Sequence, residues 1–293
     1  MKKLFSILLC VALVASLAAG CGAKTETPAA TEAPAATEAP VAATEAATEA
    51  TEPAKTKVIL GTQASYEKII AAVEKNFEAM GYELEITIFD NTTTPNIALE
   101  EGSVDANFFQ HTPFMNSFNA GNGGHLVALE PGIMHSVYAL YSEKYDSLEA
   151  LPDGAKIGIP GDPSNQSVNL EVLHDAGVIT LKEVEPGQMH SLFDIVENPH
   201  NYEFIEAELG ALRGLYPDVD AMLTAAITFY NGGLDISNPL AINQDYSAYP
   251  MIIAVREENA DAQWAKDLAK AFTAEGMRET INEAMNGTFI SIF

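Results

Sequence analysis

Between Lys57 and Phe109 two repeat periods take turns along the chain, and that alternation restricts the fold more than any other feature. Residues 57–60 (KVIL) form a short β-type run closed by Gly61. Ile69, Ile70, Val73, Phe77 and Met80 then recur at the spacing of one helix face, and Gly81 supplies the stop. Residues 83–89 alternate polar and apolar as a half-buried strand does. Residues 95–101 predict a short helix ended by Gly102, and residues 104–109 predict the next strand. A β-α-β-α-β order this compact implies a parallel sheet with right-handed crossovers.

The pattern then changes. Strands are predicted at 126–129 and 136–141 without a full helix between them, and the segment after Phe109 reads as a loop. A second series follows: strand 156–159, helix 163–176, strand 202–206, short helix 209–215 and strand 219–223. Strand 251–255 and helices 261–274 and 275–284 close the chain. This predicts two α/β lobes. The first takes residues 56–142 and 241–293, and the second, 143–240, is inserted into it. A cleft between two lobes is where a small ligand usually binds.

The N-terminal segment bears on location. Lys2 and Lys3 precede an apolar run at 4–19, shorter than the roughly 20 residues a bilayer span needs but suited to a secretory signal. Ala18-Ala19-Gly20-Cys21 resembles the bacterial lipobox, which predicts cleavage after residue 20 and lipid on Cys21. Residues 24–55 are almost entirely Ala, Thr, Glu and Pro, with Val41 the sole large apolar side chain. Such a tract cannot bury a core, so 21–55 predicts a disordered tether with a reach of about 30 Å. The expected location is therefore the extracytoplasmic face of the cell membrane, through a lipid anchor. Cys10 would leave with the signal, which leaves the exported body without cysteine for a disulfide or a redox site.

Formal charge is −26. The first 54 residues hold three Lys against six Glu, so the body carries −23. That argues against nucleic acid or an anionic membrane surface as partner. No G-x-S-x-G, phosphate-loop or H-E-x-x-H pattern is present, and the histidines other than His111 have no metal-ligand spacing. The chain reads as neither an enzyme nor a cofactor or metal carrier.

Four stretches, FFQHTPF, YSEKYDSLEALPDGAKIGIPGDPSN, DIVENPHNYEFIEAE and YPMIIAVREEN, occur in this order. Together they resemble the NlpA/MetQ family of substrate-binding lipoproteins, receptors of methionine-uptake ABC transporters, over residues 57–293. The resemblance implies a two-lobed periplasmic-binding-protein (type II) fold. It also implies a receptor that takes methionine or a related amino acid to an ABC permease and its ATPase. Carried over position by position, it makes Phe109, His111, Phe114, Ser164, Asn165, Thr92 and Thr224 ligand-binding residues. Phe109 and His111 keep the family's aromatic motif. Phe114 and Thr92 stand where tyrosines are usual, Thr224 where an asparagine is, and Val168 where an arginine meets the carboxylate.

The residues themselves leave alternatives open. His111 is a satisfied structural histidine or a ligand contact, Phe114 is pocket or core, and Ser164 and Asn165 start a helix or touch ligand. Phe108 and Phe109 are adjacent on a strand and face opposite ways; the resemblance gives Phe109 to the cleft and Phe108 to the core. Valine at 168 cannot pair with a carboxylate. Free amides at the helix start near Pro163 are a possible substitute, whereas Lys156 and Arg213 lie elsewhere in the second lobe. On this reading Val168→Arg creates methionine affinity. Two alternatives follow: the same receptor fold with a different small ligand, or a surface adhesin or interaction lipoprotein without transport.

Overall fold

The computed structural model describes residues 56–293 apart from Pro186 and Tyr246. The signal-type segment, Cys21 and the tether lie outside the described residues. The first lobe opens with β1 (Lys57–Thr62), α1 (Glu67–Glu78), β2 (Glu83–Ile88), α2 (Thr94–Glu100), β3 (Ala106–His111), α3 (Thr112–Asn122) and β4 (Leu126–Ser136). The second holds β5 (Tyr138–Tyr141), β6 (Lys156–Pro160), α4 (Pro163–Asp175), β7 (Thr180–Leu181), β8 (Ile195–Glu197), β9 (Glu203–Ala207), α5 (Leu212–Leu215), β10 (Ala221–Ala225), α6 (Ala226–Asn231) and β11 (Ala241–Ile242). The chain then returns with β12 (Pro250–Arg256), α7 (Gln263–Phe272), α8 (Met277–Met285) and β13 (Phe289–Ser291).

β1 runs parallel to both β2 and β3, as the alternating periods imply. Its own alternation divides the lobe: Val58 and Leu60 join one core cluster and Ile59 packs against another on the opposite face. The first cluster takes Ile69, Val73 and Phe77 of α1, Leu268 and Phe272 of α7, and Ile281 of α8. The second takes Leu99 of α2 and Met115 of α3. A sheet with parallel strands needs both faces covered, and these helices cover them. Phe77, Phe108 and Phe272 are fully buried, each contributing about 1.5–3 kcal/mol of transfer free energy. The whole sheet has the order β13-β4-β12-β3-β1-β2, and β12 is antiparallel to both its neighbours.

Five short elements, β7, β8, α6, β11 and β13, were not expected from the sequence, and two longer ones differ from the expectation. The segment after β3 is the helix α3, not a loop. His111 is its N-cap, with the ring Nδ1 accepting the Phe114 N–H at 3.1 Å, Pro113 in the first turn, and Gly123 at φ 65° as its C-cap. A histidine cap before an Asn- and Gly-containing helix gives little periodic signal. β4 is one strand through Pro131 and Gly132. Its register with β12 jumps from Met134↔Met251 to Leu129↔Ile253, so residues 130–133 bulge opposite Ile252. A Cβ on Gly132 would stand 2.8 Å from the Pro250 Cβ, so this close approach needs glycine.

The lobe boundary also moves. The second sheet has the order β11-β5-β10-β6-β9, and β5 pairs antiparallel with β10 and β11. Residues 138–142 and 241–242, assigned above to the first lobe, therefore belong to the second. Two crossings join the lobes, at Val137 and at 243–249. They are tied together: Asn243 Oδ1 accepts the Tyr138 N–H at 3.0 Å, and the Asn243 N–H donates to the Tyr138 carbonyl at 3.0 Å. One face of this sheet packs under α4 and the other under α5 and α6. No helix among the described residues is long and apolar enough to cross a membrane.

Candidate ligand-binding cleft

The edge of the first lobe is shaped by a bulge. β12 pairs Ile252 with Gln110 and Ile253 with Phe108, which leaves Phe109 without a partner. A bulge of this kind re-aims a side chain. Phe108 turns into the core, its ring 5.4 Å from Tyr66 and 4.7 Å from Phe272. Phe109 instead meets Phe114 edge to face at 6.0 Å, and His111 stands edge to face with Phe114 at 6.1 Å and Tyr249 at 5.5 Å.

Gln110, between the two motif residues, has a positioning task that sequence reasoning missed. Its amide donates to Asn96 Oδ1 at 2.6 Å and Asn107 Oδ1 at 2.9 Å, and accepts from Asn96 Nδ2 at 2.8 Å. This buried amide knot locks the end of β3 to the start of α2, and so places the loop at 90–93. In that loop Asn91 Oδ1 accepts the N–H groups of Thr93 and Thr94.

His111 is buried and neutral. An Nδ1 that accepts the Phe114 N–H has no proton, so the proton sits on Nε2 and points to Asn165 Oδ1 at 3.4 Å, across the lobes. Burial holds the imidazole pKa down, to about 4, against the smaller opposing pull of Asn165 and Asp162. Asn165 is oriented in turn by Asp162, whose carboxylate accepts the Asn165 amide at 3.0 and 3.2 Å. The Tyr138 hydroxyl donates to the same Asn165 Oδ1 at 3.5 Å. Burial pushes the Tyr138 and Tyr66 phenols up, so both stay protonated donors.

A cavity of about 590 Å³ opens between the lobes. Thr92, Phe109, His111, Phe114 and Asn165, five of the predicted site residues, line it together. The other two do not. Ser164 is fully buried and gives its hydroxyl to Asp162 at 2.9 Å, so it serves the start of α4. Thr224 is fully buried on β10, and its neighbour Ala225 lines the cavity instead. Val168 is 1% exposed within the second-lobe core and does not line the cavity either. The substitute anion site at the start of α4 is also occupied. The Asp162 carboxylate caps that end and accepts the Asn165 N–H at 3.0 Å, which places a negative charge where an anion would have to sit.

Other lining residues had no signal in the sequence: Tyr66, Tyr138, Thr228 and Asn231; Arg213, placed above elsewhere in the second lobe, also lines the cavity, whereas Lys156 does not. Asn231 Nδ2 donates to Ser65 Oγ at 3.0 Å, a second hydrogen bond between the lobes.

The model of one protein family, described as NlpA lipoprotein, matches residues 58–293. The chain belongs to the NlpA lipoprotein family. It is 31% identical over 236 residues to the D-methionine-binding lipoprotein MetQ of Escherichia coli O157:H7, covering 80% of this chain and 86% of that one. Among solved structures it resembles a nutrient-binding protein from Burkholderia cenocepacia bound to methionine. That likeness has a TM-score of 0.75 at 32% identity, over 80% of this chain and 100% of the other. It also resembles a periplasmic substrate-binding protein of an ABC transporter from Coxiella burnetii, with a TM-score of 0.75 at 28% identity and the same coverage. The architecture of this NlpA lipoprotein is the two-lobed periplasmic-binding-protein fold. The 590 Å³ cavity lies between its lobes.

Proposed function

We propose that this NlpA lipoprotein is the lipid-anchored, extracytoplasmic receptor of an ABC importer. On this reading it holds methionine or a related amino acid between its lobes and hands it to the permease and ATPase. The observation that carries the reading is the cavity wall at the end of β3. Phe109, Phe114 and neutral His111 form one edge-to-face cluster on it, with Met251 beside them. An apolar, aromatic wall of this kind suits a thioether chain, because sulfur sits favourably at ring edges. The methionine-binding relatives support the choice of ligand.

Among the contacts between the lobes are the His111–Asn165 and Ser65–Asn231 hydrogen bonds. Both hydrogen bonds flank the cavity, so a ligand between the lobes would add contacts to each side and favour the closed arrangement. The permease would then sense loading as a shift in that population. Cys21 would hold the receptor at the membrane by its lipid, with residues 21–55 as the spacer.

A second reading is a receptor for another small solute: where the resemblance expects the arginine that meets the carboxylate, this chain has Val168, buried away from the cavity. A thermal-shift panel of the amino acids on the full-length protein in detergent separates the two. Methionine or a close analogue should raise the melting temperature. No stabilisation by any amino acid would sink the amino-acid reading.

A further inference from the structure

The cavity holds one cation. Arg213 is the only Lys or Arg that lines it among the described residues, and its guanidinium makes no ion pair or hydrogen bond there. In a chain of charge −26 with 41 acidic residues, a free guanidinium facing a cleft is conspicuous. Its place is built. A Cβ on Gly232 would stand 2.9 Å from the Arg213 Cδ, so the arginine stem lies against backbone next to Asn231. Asn231 is the residue that reaches across the lobes to Ser65. Tyr66, next to Ser65, lines the same cavity. It is 4% exposed, and its hydroxyl has no hydrogen-bond partner among the described residues. An unused phenol donor and an unused guanidinium therefore flank one lobe contact from opposite sides.

We infer that Arg213 and the Tyr66 hydroxyl together receive the carboxylate of a zwitterionic ligand. A guanidinium presents paired N–H donors to a carboxylate, and the phenol adds a third from the other lobe. Asp90 and Glu208 line the same cavity. They repel a wholly anionic ligand, and Arg213 repels a wholly cationic one. A molecule with one carboxylate and one ammonium satisfies both. The carboxylate contact comes from α5, not from position 168, and it draws the lobes together because its donors belong to both. This inference rests on the amino-acid reading of the cleft.

The test is calorimetric titration of the full-length protein in detergent with L-methionine and with L-methioninol, which lacks the carboxylate. R213Q should weaken L-methionine by about 10–100-fold, while L-methioninol, a net cation that Arg213 repels, should bind R213Q no more weakly than it binds wild type. R213K should recover part of the loss, and Y66F should weaken L-methionine alone. Arg213 is exposed, so the melting temperature of unliganded R213Q should match wild type. R213Q that binds L-methionine as wild type does, or that loses both probes equally, overturns the inference and leaves the amino-acid reading standing. A wild-type protein that binds neither probe overturns both.

Discussion

Replacing His111 by asparagine should remove an acid sensitivity that the cleft builds into the fold. The folded imidazole titrates at about 4 because burial disfavours its cation, whereas the unfolded side chain titrates at its ordinary 6.5. Above pH 6.5 both states are neutral and the group is silent. As pH falls from 6.5 to 4, the unfolded state takes up a proton that the folded state refuses, so stability declines across that window. Each unit is worth 1.36 kcal/mol, so the full loss is about 3 kcal/mol. Asparagine keeps the cap on the Phe114 N–H, since its side-chain oxygen is a preferred helix cap, but it cannot titrate. Urea unfolding of wild type and H111N at pH 7.5, 6, 5 and 4 gives the comparison. H111N should be the less stable of the two at pH 7.5, through lost packing on Phe114 and Tyr249. The gap should then narrow by about 3 kcal/mol on reaching pH 4. A gap that stays constant with pH would refute the neutral, buried assignment of His111 and the tautomer drawn from it.

Three further outcomes follow, two from the same geometry and one from the lipobox-like segment. Val168→Arg should lower the melting temperature sharply, a cost of about 3–5 kcal/mol for an unpaired charge in the second-lobe core, without creating methionine affinity. A stable variant that gains affinity would restore the position-168 account. Asp162→Ala should cost about 1–2 kcal/mol by uncapping α4, and in urea titrations it should also weaken ligand stabilisation, because Asn165 loses its orientation. Cys21→Ser should move the protein from the detergent-rich to the aqueous phase in cloud-point partitioning, and an unchanged distribution would speak against the lipid anchor.

How much of this was legible in the sequence depended on how far apart the causes lie. The early βαβαβ unit was readable because each element announces itself locally, in period two or 3.6. Strand alternation set Phe108 and Phe109 apart and the motif gave Phe109 to the cleft, but the bulge at Phe109, which leaves both rings in the first-lobe core cluster, was not readable. α3 was not readable, since its start depends on a ring nitrogen acting as a cap. The continuous β4 was not readable either, because Pro131 and Gly132 look like a break until β12 is laid beside them with a bulge. The lobe boundary slipped for a similar reason: β5 joins the second sheet through pairing with β10 and β11, both more than 80 residues downstream.

The site divides the same way. His111 and Asn165, 54 residues apart in sequence, were placed at one cleft by motif and do meet there. Ser164 and Thr224 were placed by the same reasoning and point elsewhere, because side chains one residue apart diverge by about 100° on a helix and to opposite faces on a strand. Arg213 was visible as a second-lobe cation, but not its place in the cleft. α5 is a single short turn, and whether its guanidinium reaches the cleft depends on the room that Gly232 leaves.

The central claim is that the cavity between the lobes takes one small amino acid. Calorimetric titration of L-methionine into the wild-type full-length protein addresses it most directly. Saturable binding at one site per chain is the expected result. Absence of saturable heat, with L-methionine and with every other proteinogenic amino acid, would contradict it.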